Sequence, residues 1–130
     1  MGKKVLVVDD DPDIRMLNMS IVEEGGYTPI EAENGEEGLK MAKKENPDLI
    51  ILDVLMPKQS GVRMYRELVT DKSLKHIPII LLSGIAKSTF LRSQKALTQF
   101  GGAKVPEPEV YLEKPIDPEE LANRIKEALG

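Results

Sequence analysis

Residues 5–14 read VLVVDDDPDI, a short apolar run that leads directly into three consecutive aspartates. Most of the apolar residues are β-branched, which favours a buried strand, whereas adjacent carboxylates repel one another and aspartate is a poor strand former. A helix start explains part of the cluster, because Asp11 can cap a helix and Pro12 suits its first position. A helix start does not explain Asp9 and Asp10, and their place at the end of a strand points to a binding site.

Apolar runs of strand length alternate with segments of helical periodicity along the whole chain. The strand candidates are residues 4–8, 27–31, 48–52, 77–82 and 110–112, and helices are predicted over 12–24, from a cap at Asn34 to about 45, from a cap at Ser60, over 88–100 and from a cap at Asp117. Strict alternation predicts a parallel sheet with helices on both faces, and right-handed crossovers make it doubly wound. We therefore expect an α/β fold, (βα)5, whose five-stranded parallel sheet has the flavodoxin-like order 2-1-3-4-5.

The composition is that of an ordinary globular domain, with 130 residues, of which 31% are charged and 41% hydrophobic. The net charge of −4 argues against a nucleic-acid or anionic-membrane partner. No apolar run approaches the roughly 20 residues that span a bilayer, and the chain has no cysteine, so we expect a cytoplasmic location. We expect one stand-alone domain over residues 1–130, because the fifth helix ends with the chain.

Acidic residues follow two strands that are neighbours in this order. Asp9 and Asp10 follow the first strand, and Asp53 follows the third. Ligands of doubly wound sheets bind beyond the carboxyl ends of such strands, and buried carboxylates without a partner are costly. Oxygen ligands without a nearby histidine or cysteine suit Mg²⁺, so the sequence predicts a magnesium site at this edge.

A hydroxyl and an ammonium group fall on the same edge of the predicted sheet. The fourth strand ends at Ser83 and the fifth leads to Lys114. Aspartate is a known acceptor in aspartyl-phosphate chemistry, and phosphoryl transfer needs mainly positioning and charge neutralisation. These residue types therefore indicate a pocket for a phosphoryl group carried by Asp53.

The motifs together resemble the receiver domain of two-component response regulators, in particular the single-domain, chemotaxis-regulator-like members. The matching elements are VVDDD (7–11), LDVLMP (52–57), LLSG (81–84) and YLEKPI (111–116), in the family's order. The resemblance implies phosphorelay signalling, in which a histidine kinase or phosphotransfer protein supplies the phosphoryl group and an unidentified downstream protein reads the result. It also implies a phosphorylation-controlled switch, not a turnover enzyme, that catalyses only its own phosphotransfer and autodephosphorylation and is a monomer or a weak phosphorylation-dependent dimer.

The resemblance assigns roles to the residues of the site. Asp53 is the phosphoacceptor, and Asp9 and Asp10 bind Mg²⁺ together with Asp53 and the backbone carbonyl of Leu55. This sequence departs from the family in the turn KQSG (58–61), where a methionine and an acid often precede the glycine.

Three further positions match the part of the family that senses the phosphoryl group. Ser83 and Lys114 match the phosphate-sensing hydroxyl and lysine, and Lys114–Pro115 matches a peptide bond that is usually cis in the family, against the general preference for trans. Tyr111 matches the switch aromatic, although a tyrosine on a short edge strand also fits plain packing. The stretch from Ser83 to Lys114 is longer than usual, with the excess at 101–109, which we interpret as a solvated surface loop.

Three rival functions share parts of this pattern. A flavodoxin has the same architecture, but the three acids would repel a flavin phosphate. A haloacid-dehalogenase-type phosphatase wants a second acid two residues after the first, where this chain has Leu55. A pseudo-receiver, which binds partners without phosphoryl chemistry, is the third, and against it stands the fact that every expected chemical position is filled.

Overall fold

The structure is a computed structural model that describes residues 2–57, 60–99 and 106–130, and this part of the chain forms alternating strands and helices. The strands are β1 (Lys4–Val8), β2 (Thr28–Ala32), β3 (Leu49–Asp53), β4 (Ile79–Ser83) and β5 (Val110–Glu113). The helices are α1 (Pro12–Glu24), α2 (Gly35–Glu45), α3 (Ser60–Thr70), α4 (Lys87–Gln99) and α5 (Pro118–Leu129). None of the helices in these ranges combines the length and the apolar character needed to cross a membrane.

The five strands form one parallel sheet in the order β2-β1-β3-β4-β5, which confirms the predicted doubly wound fold. Val8 pairs with Leu52 across β1 and β3, and Asp53 pairs with Leu82 across β3 and β4. The carboxyl ends of these three strands therefore lie level with one another at a single edge of the sheet. The site predicted from the sequence falls at this edge.

The core has two layers because successive side chains of a strand point to opposite faces of the sheet. Leu6 and Val8 of β1 join the apolar cluster beneath α2, α3 and α4, whereas Val5 and Val7 join the cluster beneath α1 and α5. Every residue of β3 is buried, as expected for the central strand of a sheet covered on both faces. The strand that carries Asp53 is thus enclosed by packing on both sides.

Side-chain caps define the starts of three helices, as predicted. The carboxylate of Asp11 accepts hydrogen bonds from the backbone N–H groups at the start of α1, Asn34 does so for α2 and Asp117 for α5. The prediction of a cap at Ser60 is wrong. Ser60 is itself the first residue of α3, and its hydroxyl has no hydrogen-bond partner among the described residues. A residue that already has helical backbone geometry lies past the capping position.

The strand boundaries differ from the prediction by one or two residues, most clearly at β4. The Ile77 N–H donates to the Leu74 carbonyl in a turn, at 3.0 Å, so it is not available to the sheet. Pro78 has no N–H, but its carbonyl accepts from Ile50 N–H at 3.0 Å. The strand therefore begins after Pro78, later than the apolar run suggests.

The predicted loop 101–109 is described only in its second half, since residues 101–105 lie outside the described ranges. Residues 106–109 form no regular structure, and most of their side chains are exposed. Pro108 is buried, however, and the Pro106 carbonyl accepts a hydrogen bond from the Tyr65 hydroxyl at 2.7 Å. This part is thus an irregular and mostly exposed connection, as interpreted, but it is also tied to α3 through Pro106.

Candidate functional site

The sheet edge brings together the three acids predicted to meet there. Asp9 is 1% exposed and Asp53 is 3% exposed, whereas Asp10 points to solvent. One carboxylate oxygen from each of the three lies within 4.8 Å of the others. The backbone of two neighbouring strands thus holds two buried carboxylates beside one another, with an exposed one at their rim.

Each buried carboxylate has one oxygen fixed by a backbone N–H and the other turned toward Lys114. The Asp9 Oδ1 atom accepts from Asp11 N–H at 2.9 Å, and the Asp53 Oδ1 atom accepts from Leu55 N–H at 3.1 Å. The Lys114 Nζ atom lies 3.3 Å from Asp53 Oδ2 and 3.8 Å from Asp9 Oδ2. The Asp53 oxygen that faces the ammonium group is therefore Oδ2.

One ammonium group does not neutralise this pair. Burial, and next the charge of Asp9, raise the pKa of Asp53 to about 6, although Lys114 and the Leu55 N–H act in the opposite direction. Burial also raises the pKa of Asp9. The site therefore retains a deficit of positive charge.

The residues present fit a magnesium ion. Among the described residues, Asp9 Oδ2 accepts no hydrogen bond, which is unusual for a buried carboxylate oxygen. The donor set consists of oxygens alone, and Mg²⁺ is typically bound by one or two carboxylates together with water and phosphate oxygens. An oxygen-binding cation would satisfy both the unpaired atom and the charge deficit.

Ser83 and Tyr111 lie next to the acid cluster, on β4 and β5. Ser83 is fully buried, its hydroxyl accepts from Ile85 N–H at 3.1 Å, and its carbonyl accepts from Lys114 N–H at 2.7 Å. The Tyr111 hydroxyl donates to the Ile85 carbonyl at 2.9 Å. Burial raises the pKa of Tyr111, and the neighbouring Ser83 hydroxyl acts against this. The Lys114–Pro115 peptide bond is cis, as the resemblance implied.

Sequence reasoning missed Arg15, whose guanidinium group contacts the backbone of the acid cluster. Its Nη1 atom donates to the Asp9 carbonyl at 2.7 Å, and its Nε atom donates to the carboxylate of Glu31 at 3.1 Å. The side chain is only 15% exposed, so the guanidinium joins α1 to the ends of β1 and β2. No sequence pattern points to this contact, because one partner is a backbone carbonyl and the other, Glu31, lies on a different strand.

Gly61 lets α3 begin directly against the strand end that carries Asp53. A Cβ atom at this position would lie 2.4 Å from the Asp53 carbonyl oxygen and 2.5 Å from that of Val54. Any side chain here would have to displace backbone. The glycine of the KQSG turn is therefore required for the placement of Asp53, not only for the turn itself.

The fold and the site together define a class of protein. It is a doubly wound α/β protein with an acidic site that fits a cation, placed at the carboxyl ends of β1 and β3, where the strand order reverses. The family model of the response regulator receiver domain matches residues 5–126. The chain therefore belongs to the response regulator receiver domain family, which confirms the family predicted from the motifs.

Individual relatives agree with this assignment. The chain is 40% identical over 129 residues to the alkaline phosphatase synthesis transcriptional regulatory protein PhoP of Bacillus subtilis, with 99% of this chain but 49% of that protein covered. It is 32% identical over 130 residues to the polar-differentiation response regulator DivK of Brucella anthropi, with 100% and 98% covered. The solved structure of chemotaxis protein CheY4 of Vibrio cholerae has a TM-score of 0.80 at 29% identity, with 99% of this chain and 100% of that one covered. The chain thus spans about half of PhoP and nearly all of DivK and CheY4.

The family sets the general function of the chain, which is that of a receiver domain in two-component signalling. Receiver domains act as switches, bind Mg²⁺ at an acidic pocket, and interact with histidine kinases or phosphotransfer proteins and with downstream targets. The function class predicted from the sequence is confirmed.

The pKa of Asp53 predicts how the stability of the metal-free protein depends on pH. When the pKa of a carboxyl is higher in the folded chain than in the unfolded chain, the protonated group favours folding. This contribution to stability is complete below the unfolded-state pKa and is lost as the pH rises through the folded-state pKa. For Asp53 this window runs from 3.8 to about 6, a rise of about two units. At about 1.4 kcal/mol for each unit, the metal-free protein should lose roughly 2–3 kcal/mol across it.

Urea unfolding at several pH values without divalent cations measures this loss. Asp53→Asn should show a flatter profile than the wild type and should be the more stable of the two at pH 7. Glu23→Gln, which changes an exposed acid on α1, is the matched control and should keep the wild-type slope. A wild-type slope in Asp53→Asn would show that this carboxyl carries no such cost.

Proposed function

We propose that the chain, as one receiver unit over residues 1–130, accepts a phosphoryl group onto Asp53 from a histidine kinase or phosphotransfer protein in a Mg²⁺-dependent reaction. The observation that carries the proposal is the buried Asp53 carboxylate, whose Oδ2 atom lies 3.3 Å from the Lys114 ammonium at the switch point. The modified chain then presents an altered surface to a downstream protein.

The transfer follows from the way the two Asp53 oxygens are held. Oδ1 is fixed by the Leu55 N–H, so Oδ2 attacks the phosphorus atom of a phosphohistidine. An O–P bond forms as the N–P bond breaks, and the electron pair of that bond returns to the imidazole. Burial and the hydrogen bond to Oδ1 restrict the Asp53 carboxylate and so position the nucleophile, and positioning is a main contribution that a protein makes to this reaction.

Charge neutralisation completes the proposed reaction. Asp9, Asp10 and Asp53, with the backbone carbonyl of Leu55, would hold Mg²⁺, which supplies positive charge to the oxygens of the transferred group. Lys114 provides a second positive charge, 3.3 Å from Asp53 Oδ2.

The proposed sensing step uses Ser83 and Tyr111. The Ser83 hydroxyl accepts a hydrogen bond from Ile85 N–H, and on phosphorylation it donates its own hydrogen to a phosphoryl oxygen. A serine drawn toward Asp53 changes the space beside Tyr111, whose hydroxyl bonds to the Ile85 carbonyl. Phosphorylation then biases the chain between two arrangements.

The structure also bears on the rival functions. A phosphatase of the haloacid-dehalogenase type needs an acid two residues after the nucleophile, whereas Leu55 offers an exposed aliphatic group. A flavin phosphate would meet buried carboxylates at the switch point. A pseudo-receiver would have no need of a buried, poorly neutralised Asp53, which costs folding stability. These points favour the phosphoacceptor function.

Phosphorylation of Asp53 is tested by intact mass after incubation with Mg²⁺ and a small phosphodonor. The wild type should gain one phosphoryl group, and chelation of Mg²⁺ should prevent the gain. Asp53→Asn should gain nothing because the amide is a poor nucleophile, while the control Asp13→Asn, an exposed acid on α1, should react like the wild type. An unmodified wild type under every donor would support the pseudo-receiver function instead.

Metal binding should compete with protons, since bound carboxylates must be ionised and burial raises the pKa of Asp9 and Asp53. Calorimetric titration should therefore give a weaker Mg²⁺ affinity at pH 5.5 than at pH 7.5. Asp10→Ala should lower the affinity on the order of tenfold or more, and Asp11→Ala much less, because the Asp11 side chain caps α1. Equal losses in the two variants would contradict this division of roles.

The lifetime of the phosphorylated protein should depend on two aliphatic residues. Leu55 is 52% exposed beside the Asp53 backbone, and Ile85 is half-buried two residues after Ser83. Neither side chain can orient a water for attack on the phosphorus atom, so we expect slow autodephosphorylation. Leu55→Asn or Ile85→Glu should shorten the lifetime, by roughly tenfold for each 1.4 kcal/mol of barrier removed.

The decay is followed by mass after removal of the phosphodonor. Leu17→Asn, which places the same amide on an exposed position of α1, is the control and should decay like the wild type. If all three variants decay at the wild-type rate, Leu55 and Ile85 do not control the attacking water.

A further inference from the structure

Three aromatic side chains from three different elements form a continuous row beside β4. Tyr65 of α3 contacts Phe90 of α4 edge to face, with ring centroids 5.9 Å apart and an interplanar angle of 72°. Phe90 in turn contacts Tyr111 of β5, with centroids 5.4 Å apart and an angle of 37°. We call Tyr65, Phe90 and Tyr111 the aromatic row. Because Tyr65 and Phe90 are each 1% exposed, the row is enclosed along most of its length.

Each end of the row is fixed by a hydroxyl group that donates to a backbone carbonyl. The Tyr65 hydroxyl donates to Pro106 at 2.7 Å, and the Tyr111 hydroxyl donates to Ile85 at 2.9 Å. The row therefore joins the segment before β5 to the backbone two residues beyond Ser83. Neither end depends on the acid cluster itself.

The tyrosine at position 65 serves this connection and not packing alone. A leucine would also fill an apolar position of α3, but it would leave no polar atom to satisfy. A buried hydroxyl is costly unless it is hydrogen-bonded, so loss of the bond between Tyr65 and the Pro106 carbonyl would cost free energy. Tyr65 therefore favours arrangements in which α3 stays close to Pro106. Burial, and next the charge of Glu107, raise the pKa of Tyr65 to about 12, so the hydroxyl keeps its hydrogen and remains a donor at physiological pH.

There is room for the segment Pro106–Glu109 to move relative to α3. A cavity of about 270 Å³ lies between parts of the two elements, beside the contact of Tyr65 with Pro106, and its lining includes Tyr65, Val69, Ile77, Ile79, Pro106 and Pro108. A change in the tilt of the Tyr65 ring therefore displaces the segment and need not displace the sheet. Tightly packed rings shift together, since a gap between them would lose the contacts of both.

We propose that Tyr65 and Phe90 are positioning residues for Tyr111 and couple it to the segment Pro106–Glu109. Movement of Tyr111 away from the Ile85 carbonyl removes the support of the Phe90 ring, and the change continues through Tyr65 to Pro106. By reciprocity, a protein that displaces Pro106–Glu109 changes the equilibrium position of Tyr111. The coupling rests on the proposed function, in which Tyr111 is part of the switch.

The first experiment tests the coupling without phosphorylation. The chain has three tyrosines, so labelling the tyrosine rings together with the backbone amides gives nuclear magnetic resonance spectra in which the Tyr111 ring and the Ile85 amide are both observed. Tyr65→Phe keeps the ring and removes only the hydroxyl, and it should shift the Tyr111 ring signals and the Ile85 amide. Tyr27→Phe makes the same change on the opposite face of the sheet and should leave both unchanged. Tyr111 and Ile85 signals that are equal in the two variants would overturn the proposal.

The second experiment tests the direction from the phosphoryl site outward. In the phosphorylated wild type the amides of Glu107 and Glu109 should change their chemical shifts. Phe90→Leu should reduce these changes at least twofold while its intact mass still shows one added phosphoryl group, a result that a merely structural role would not produce. Changes of wild-type size in Phe90→Leu would overturn the coupling and leave the proposed function standing. A wild type that gains no phosphoryl group would refute the proposed function, and the first experiment alone would then decide the coupling.

Discussion

The contact between Lys114 and two buried carboxylates is the interaction on which the rest of the site depends. Its Nζ atom lies 3.3 Å from Asp53 Oδ2 and 3.8 Å from Asp9 Oδ2. A single positive charge therefore faces two carboxylates. In a low-dielectric environment such an imbalance is expensive, as the raised pKa values of both carboxyls show. The folded chain therefore holds a site that is incomplete by itself and that gains free energy from any suitably placed cation.

The parallel sheet is what makes this costly arrangement possible. Its register places the ends of β1 and β3 side by side, so Asp9 and Asp53 cannot separate without breaking the ladder between them. Arg15 holds the Asp9 carbonyl from one side, and Gly61 allows α3 to lie against the Asp53 backbone from the other. Apolar packing on both faces of β3 contributes free energy of folding that offsets the unfavourable burial of these charges. The core thus offsets the cost of the site.

Much of this could be predicted from the sequence because the signals were local. The first strand ends where its apolar run meets Asp9, and the helix cap at Asp11 is set by a few adjacent residues. The start of β4 could not be predicted in this way, because Pro78 and its hydrogen-bond partner decide it, not strand propensity. Arg15 was missed for a similar reason, since its partner is a backbone carbonyl and the contact leaves no pattern in the side chains. The contact between Tyr65 and the segment before β5 joins residues far apart in the chain, and periodicity carries no information about it.

Lys114 also links the charges of the site to the strand that carries Tyr111. Its ammonium group faces Asp53, while its backbone N–H donates to the Ser83 carbonyl at 2.7 Å and so continues the hydrogen bonding between β4 and β5. A change of charge at Asp53 alters the force on the Lys114 side chain. The Lys114 backbone directly follows β5 and is hydrogen-bonded to the end of β4. The Ser83 side chain and the Tyr111 hydroxyl both meet the backbone at Ile85, only two residues further along. A change of charge at the acid cluster and a movement of Tyr111 would therefore act on the same few backbone atoms, and in the proposed function this shared anchorage is the route by which three carboxylates influence a surface formed by other elements.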